Sequence, residues 1–400
     1  MVDLSVEFLG VRFKNPVVTA AGTITWNLNS LKKSIEAGVS AVAPKSVILD
    51  PNRWERPARK SLFFLDKYDR RQLFTHCSMW FHSPDEQAKL IDEIKPYAQR
   101  EDVVVIGTIL CEASVEGFDE KGIIGCARRL EAAGADMLEL GFSCPVTGAE
   151  VGLSARDRVE KNMQAVKFAL SALKGTLGIP YYLKWAYNSS PAEFSELLRA
   201  IETEVDAAHF LPVVNATVID IETARPVGPA PILYGRYNTG IGCYFTALAA
   251  KSSRLQIMSS GGFWTWRDIV ESLMCGSSLA GVHSAVVYRG YKVFTQMIGG
   301  LTDFMERKGY SKIDDFKALA APHIDNAEEI REWLKQRQVP AEAVKIAVDD
   351  AKCNGCGLCA VCNAEAVAIK NDVARIDLGL CMRCGACATI CPREAILLSF

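Results

Sequence analysis

Along the first three hundred residues, short apolar runs alternate with longer stretches in which apolar positions recur every three or four residues. The runs are Val17–Gly22, Ala41–Val47, Val103–Leu110, Met137–Ser143, Tyr181–Ala186, His209–Asn215, Leu255–Gly262 and Leu279–Val287. Near-continuous hydrophobicity over so few residues suits strands buried on both faces of a parallel sheet. The stretches between them, such as Ser83–Ala98, Lys121–Gly134, Ala155–Lys174, Pro191–Val205 and Trp266–Gly276, read as amphipathic helices. Ser83-Pro84 and Ser190-Pro191 are helix starts, with proline at the first helical position. Eight βα units predict an α/β fold, a (β/α)8 TIM barrel over residues 1–310, whose chemistry sits at the C-terminal strand ends. An open doubly wound sheet gives the same alternation and is the alternative.

The pattern changes beyond residue 310. Asp325–Gln338 is a charged amphipathic stretch ended by Val339-Pro340, so residues 311–345 are expected to form a helical connector. Residues 346–400 carry two cysteine runs. The first is Cys353-x2-Cys356-x2-Cys359-x2-Cys362, the second Cys381-x2-Cys384-x2-Cys387-x3-Cys391-Pro392. Closely spaced thiolates on a glycine-containing loop wrap three corners of an iron–sulfur cube, and a distant cysteine completes the fourth. In bacterial two-cluster ferredoxins the last cysteine of each run serves the other cluster. By that rule Cys353, Cys356, Cys359 and Cys391 hold one [4Fe-4S] cluster, and Cys381, Cys384, Cys387 and Cys362 hold the second. A pair of zinc sites is the alternative, weaker because the second run is closed by Cys-Pro. The first run departs from the ferredoxin spacing: two residues rather than three precede Cys362, and Asn363 stands where proline is usual.

Composition narrows the function. The chain has 400 residues, 45 basic against 47 acidic, for a formal charge of −2. That balance gives no reason to expect nucleic acid or an anionic membrane as partner. No apolar run reaches the roughly 18 residues of a spanning helix, so no membrane association is expected. The opening MVDLSVEFLG lacks the basic and apolar regions of a secretory leader. A cytoplasmic location is expected, and there fourteen cysteines point to metal ligation rather than disulfides.

Functional residue types crowd the predicted strand ends: Ala21-Gly22, Lys45-Ser46, Ser143-Cys144-Pro145, Lys184, Asn215, Gly261-Gly262 and His283-Ser284. Gly261 and Gly262, with His283 and Ser284 after the last strand, can cradle a phosphate with backbone N–H groups. Gly240 and Gly242 are expected to close over that phosphate from the preceding loop. Lys184 ends an apolar strand, where an unpartnered cation is costly to bury. Lys45 is placed similarly. Cys144 sits on the loop after the fourth strand. The following segment, residues 146–154 with Gly148 and Gly152, suits a lid. Cys77, Cys111, Cys126, Cys243 and Cys275 are taken as buried core thiols.

These strand ends resemble the dihydroorotate dehydrogenase and dihydropyrimidine dehydrogenase family. The marks are Phe13-Lys14-Asn15-Pro16-Val17 leading to Ala20-Ala21-Gly22, then Pro44-Lys45-Ser46 and Gly134-Ala135-Asp136. Phe142-Ser143-Cys144-Pro145, Tyr182-Leu183-Lys184, Ser260-Gly261-Gly262 and Val282-His283-Ser284-Ala285 continue them in order, and the likeness spans essentially the whole chain. The resemblance implies FMN in the barrel and two [4Fe-4S] clusters behind it. It implies that Cys144, with Ser143 beside it, is the proton donor over the flavin, and that Lys184 stabilises charge on the reduced ring. It also implies a homodimer or larger assembly, and an activity on CH–CH bonds.

The resemblance fails where a pyrimidine would be held. Gly141 stands where the family has asparagine, and Asn215-Ala216 replaces Asn-Thr or Asn-Ser. Residues 77–82 lack the expected amide and carboxylate. A site without those groups rejects polar pyrimidines. Trp80, Phe81, Trp185 and Tyr187 are available to line a pocket, and Arg225, Arg236 and His82 to meet a carboxylate. The expected reaction is reduction of an activated C=C bond in an unsaturated or aromatic, less polar molecule. Reduction of uracil or thymine is the alternative within this class. No Gly-x-Gly-x-x-Gly follows a strand, so electrons are expected from a partner, a ferredoxin or an NAD(P)H-dependent flavoprotein subunit. The alternative of another class is a non-catalytic electron-transfer subunit.

Overall fold

The structure, a computed structural model, describes residues 2–49, 63–65, 72–75, 81–111, 119–142, 155–187, 190–215, 219–226, 232–336 and 345–399. They form two compact units, Met1–Ile324 and Asp325–Phe400.

Eight parallel strands close the first unit into a barrel. They are β1 (Val17–Thr19), β2 (Ala41–Val42), β3 (Val104–Leu110), β4 (Met137–Phe142), β5 (Tyr181–Tyr187), β6 (Ala207–Pro212), β7 (Gln256–Ser260) and β8 (Leu279–Val282). Each pairs with the next, and Val17 opposite Ala280 joins β1 to β8. All seven residues of β3 are buried, as a strand walled by helices outside and side chains inside must be. Helices α1 (Leu28–Glu36), α2 (Pro84–Arg100), α3 (Glu120–Ala132), α4 (Ala155–Leu173), α5 (Pro191–Ile201), α6 (Asn238–Ser252), α7 (Trp266–Met274), α8 (Ser284–Arg289) and α9 (Lys292–Lys308) follow the strands. At the starts of α2 and α5, Ser83 and Ser190 accept from the Glu86 and Glu193 N–H, and those glutamates reach back to the cap. An N-terminal hairpin, Val6–Phe8 with Val11–Phe13, covers the barrel floor: Phe8 meets Tyr182 edge-on at 5.4 Å.

Five strands end earlier than their hydrophobicity suggested; the first stops at Thr19 rather than Gly22 and the seventh at Ser260 rather than Gly262. The second breaks after Val42 at the Pro44 segment and resumes only as Val47–Ile48. The sixth stops at Pro212, and Val214–Asn215 pairs antiparallel with Ile232–Gly235 in a separate sheet. The eighth stops at Val282, because residues 284–289 wind into α8. The segment expected as a connector divides: Ile313 and Phe316 are buried in the barrel unit's core, whereas α10 (Ala327–Gln336) groups with the second unit.

The second unit is two antiparallel ribbons, β9 (Lys345–Val348) with β12 (Ile396–Ser399) and β10 (Val367–Lys370) with β11 (Val373–Ile376). Asn371 and Asp372 both have positive φ, the two-residue turn whose twist matches its flanking strands. Each cysteine run enters its turn through a left-handed glycine, Gly357 (φ 79°, ψ −4°) and Gly385 (φ 78°, ψ −4°), and the first run has a second one in Gly355 (φ 65°). After Gly357 the chain winds as a 3-10 turn, Leu358–Val361; after Gly385 it winds as α11 (Ala386–Ile390). The tighter winding absorbs the missing residue of the first run. Cys362 (φ −59°, ψ 114°) and Cys391 (φ −71°, ψ 110°) then end their turns alike.

Candidate functional site

A cavity of about 780 Å³, counted with its open mouth, lies at the C-terminal ends of the barrel strands. Ala20, Ala21 and Gly22 face it from β1, Lys45 from beyond β2 and Lys184 from β5. Pro212 comes from β6, Ser260, Gly261 and Gly262 from β7, and His283 and Ser284 from β8. The glycines are there for space and backbone shape. A Cβ on Gly22 would stand 2.4 Å from the His283 ring, and one on Gly262 would stand 2.2 Å from the Gly235 carbonyl oxygen. Gly261 (φ 129°) and Gly262 (φ 90°) also hold conformations that side-chain-bearing residues rarely adopt. A bare backbone is thereby left open to a ligand.

One wall is a buried polar network. Glu139 Oε1 accepts from Lys184 Nζ at 2.8 Å, and Oε2 contacts His209 Nδ1 at 2.7 Å and the Tyr182 hydroxyl at 3.1 Å. His209 Nε2 is 2.8 Å from Ser260 Oγ. Burial alone would raise the Glu139 carboxyl. Lys184 and His209 outweigh it and hold the group at about 2. Burial, outweighing the Glu139 carboxylate, pushes His209 below its ordinary value and favours the neutral ring. An ionised carboxylate only accepts, so the ring's one proton sits on Nδ1. Nε2 then accepts, and Ser260 must donate its hydroxyl hydrogen to it.

The opposite wall is cationic. Lys45 Nζ stands 4.7 Å from the Phe81 ring centroid, and among the described residues no carboxylate pairs with it. Burial first, then the charges of Lys45 and Lys184, push His283 down to about 4. Its neutral ring accepts the Thr23 N–H at Nε2, 3.2 Å away. Asn238 Nδ2 donates to the Leu233 carbonyl at 2.9 Å, while its buried Oδ1 has no partner among the described residues. Two lysines, open glycine backbone and an unpartnered acceptor suit an anionic ligand that also carries hydrogen-bond donors.

Of the residues singled out in the sequence, Ala21, Gly22, Lys45, Lys184, Gly261, Gly262, His283 and Ser284 meet at this cavity. Ser46 is not among its lining residues; its carbonyl accepts the His82 N–H. Gly240 and Gly242 belong to the first turn of α6 rather than to a loop, and Gly235 and Asn238 reach the cavity in their stead. Asn215 leaves the barrel with its separate sheet. Ser143, Cys144, Cys77, Trp80 and residues 146–154 lie outside the described residues. Trp185 and Tyr187 do not line the cavity. They alternate with Lys184 along β5 and so face outward, Tyr187 against Phe194 and Phe245. Phe81 packs with Ile48 and Leu110, and His82 lies against Trp26. Sequence reasoning missed Glu139, His209 and Asn238. The first two had a signal, a charged or titratable side chain inside an apolar strand, where it needs a partner.

In the second unit, Cys353, Cys356, Cys359 and Cys391 line one cavity of about 320 Å³, drawn from both runs. The Ala374 and Ala395 N–H groups point at the sulfurs of Cys353 and Cys391, 3.4 and 3.3 Å away. Among the described residues no three His, Cys, Asp or Glu converge closely enough for a single metal ion. Four cysteines from both runs around a hollow of that size suit a cluster with its own volume. Cys381 and Cys384 raise the Cys387 thiol, after burial, and Cys362 packs in the same small core as Cys387. Among the described residues no helix is long and apolar enough to cross a membrane.

Comparison with known proteins gives this geometry a family. The model of the dihydroorotate dehydrogenase family matches residues 3–305, and that of the 4Fe-4S binding domain matches residues 374–397, which include the second cysteine run but not the first. The chain is 27% identical over 313 residues to the catalytic subunit of dihydroorotate dehydrogenase B (NAD(+)) of Methanocaldococcus jannaschii, covering 76% of this chain and 94% of that one. It is 24% identical over 386 residues to the NAD-dependent dihydropyrimidine dehydrogenase subunit PreA of Escherichia coli, covering 89% and 84%. The fold is shared with the crystal structure of DHODH in complex with ferulenol from Eimeria tenella. There the TM-score is 0.63 at 20% identity, covering 79% of this chain and 88% of that one. With its closed barrel, its strand-end cavity and its ferredoxin-like unit, the chain belongs to the dihydroorotate dehydrogenase family.

Proposed function

We propose that the chain is a flavin- and iron–sulfur-dependent oxidoreductase that reduces an activated C=C bond of an unsaturated or aromatic small molecule. The observation that carries this is the cavity itself, cationic at Lys45 and Lys184 and open to backbone at Gly22, Gly261 and Gly262. FMN is the fitting cofactor: one phosphate for the glycine cradle and Ser284, and an electron-rich ring edge for the lysines. FMN, when bound, supplies a hydride to one carbon of the double bond and accepts singly the electrons that two [4Fe-4S] clusters pass on.

The chain's own residues do the rest. Lys184, anchored by Glu139, and Lys45 offset negative charge that develops in the cavity. Neutral His283, tied to Thr23, fixes the edge of the glycine cradle without adding a third cation. Cys144 donates a proton to the second carbon of the double bond. Electrons come from a partner, a ferredoxin or an NAD(P)H-dependent flavoprotein subunit, in keeping with the catalytic-subunit names of the relatives.

Reduction of uracil or thymine is a second reading, favoured by the alignment with the Escherichia coli subunit, which runs across both units. Against it stands Gly141, which offers no amide where the family has asparagine. The test is anaerobic. The cofactor is extracted and identified, and the photoreduced protein is then mixed with cyclic enones, unsaturated aromatic acids, uracil and thymine. Reoxidation by an enone or aromatic acid supports the first reading, and reoxidation by uracil or thymine alone selects the second. Finding FAD or no flavin would remove both.

A further inference from the structure

Two hydrogen-bond acceptors border the glycine cradle, and each has its orientation fixed by a protein partner. The Ser260 hydrogen is committed to His209 Nε2, because Glu139 holds the proton of that ring on Nδ1. Ser260 Oγ can therefore offer the cavity only lone pairs. The Asn238 amide nitrogen is committed to the Leu233 carbonyl, which leaves Oδ1 buried beside the same cradle, unpartnered among the described residues. A buried acceptor left unsatisfied is costly, so this arrangement calls for a donor from the ligand. A fully ionised phosphate cannot answer that call, since it carries no donor and would be repelled by both oxygens.

Ser260 immediately precedes Gly261 and Gly262, whereas Lys184 comes from β5, two strands away. Both acceptors thus lie toward the phosphate end of the cavity. For FMN the donors at that end are the hydroxyls of its ribityl chain. We infer that Ser260 and Asn238 recognise the ribityl hydroxyls of the flavin, and that His209, held by Glu139, is the positioning residue that keeps Ser260 an acceptor. This rests on the flavin reading above.

The test is binding, not turnover. The cluster-containing chain freed of flavin is titrated with FMN and with its 2′-, 3′- and 4′-deoxyribityl analogues, followed by quenching of flavin fluorescence. At least one analogue should bind wild type about tenfold more weakly than FMN, the usual effect of leaving a buried acceptor unpaired. Ser260→Ala and Asn238→Ala should each weaken FMN by a similar factor, and should lose little more against the analogue missing the matching hydroxyl. Equal binding of FMN and all three analogues by wild type would overturn the inference, a result that needs no variant to fold. Full additivity of every variant with every analogue would also overturn it. Failure of wild type to bind FMN one to one would strike the flavin reading itself.

Discussion

His209 Nδ1 stands 2.7 Å from Glu139 Oε2, and through that contact a carboxylate on one barrel strand decides which nitrogen of a buried imidazole carries its proton. Both groups are wholly enclosed, and Lys184 supplies the compensating positive charge. Removing one member of such a network leaves the others uncompensated, which costs far more than the contact contributes. The wall of the cavity is therefore a single electrostatic unit.

Acid should loosen that unit early. Glu139 is depressed from an ordinary 4.5 to about 2, so the stability it contributes is present above the unfolded value and fades as pH falls from about 4.5 toward 2. His283 is depressed from 6.5 to about 4 and His209 is lowered from 6.5. The unfolded chain takes up those protons first, so stability falls with pH from about 6.5 downward. Melting temperature measured between pH 7.5 and 4 should drop across that window. The slope should flatten in His283→Asn, whose side chain has no proton to bind.

Gly22→Ala should displace the His283 ring, since the new methyl would begin 2.4 Å from it. Forced overpacking of this kind costs about 1–3 kcal/mol. The purified variant should melt lower and carry less flavin than wild type. Gly125→Ala, in α3 with no atom within 4 Å of its Cβ and no left-handed backbone, controls for loss of a glycine as such. Flavin content and melting temperature both unchanged in Gly22→Ala would mean that the His283 edge does not shape the site.

About eight irons and eight labile sulfides per chain are expected from two cubes. Cys391→Ser should damage the cluster shared with Cys353, Cys356 and Cys359, whose side chains it joins around one cavity. Cys362→Ser should damage the other. Electron paramagnetic resonance of the dithionite-reduced variants, with iron counts, separates the two; equal loss of both signals in each variant would undo the partition.

Cys144→Ala should leave reduction of clusters and flavin by the electron donor nearly normal. Transfer to substrate should slow by roughly 10²–10⁴-fold, the usual contribution of a positioned proton donor. Serine should fall between the two, being a poorer acid than a thiol near neutral pH. Stopped-flow comparison of the two half-reactions makes the distinction, because a pure electron relay would show no such selective loss.

What the sequence determined by itself is what short-range chemistry encodes. Ligand spacing within each cysteine run, the Gly261-Gly262 turn and the proline-led helix starts at Ser83 and Ser190 are local, so their meaning survives without a fold. The eightfold alternation of apolar runs and amphipathic stretches was equally legible, since period and length distinguish buried strands from helices. Tertiary structure decided the rest. Gly22 and His283 lie 261 positions apart and touch only because β1 pairs with β8 to close the barrel. Whether Trp185 or Lys184 faces the cavity depends on the phase of a two-residue alternation, and a strand with apolar residues on both faces does not reveal which face is inward. The end of β6 at Pro212, rather than at Asn215, was hidden because an apolar run continues unbroken into a second sheet. Above all, Glu139, His209 and Ser260 stand on three different strands. Hydrophobic patterning marks each as an exception, but only closure of the barrel brings them within hydrogen-bonding distance and so assigns their charges.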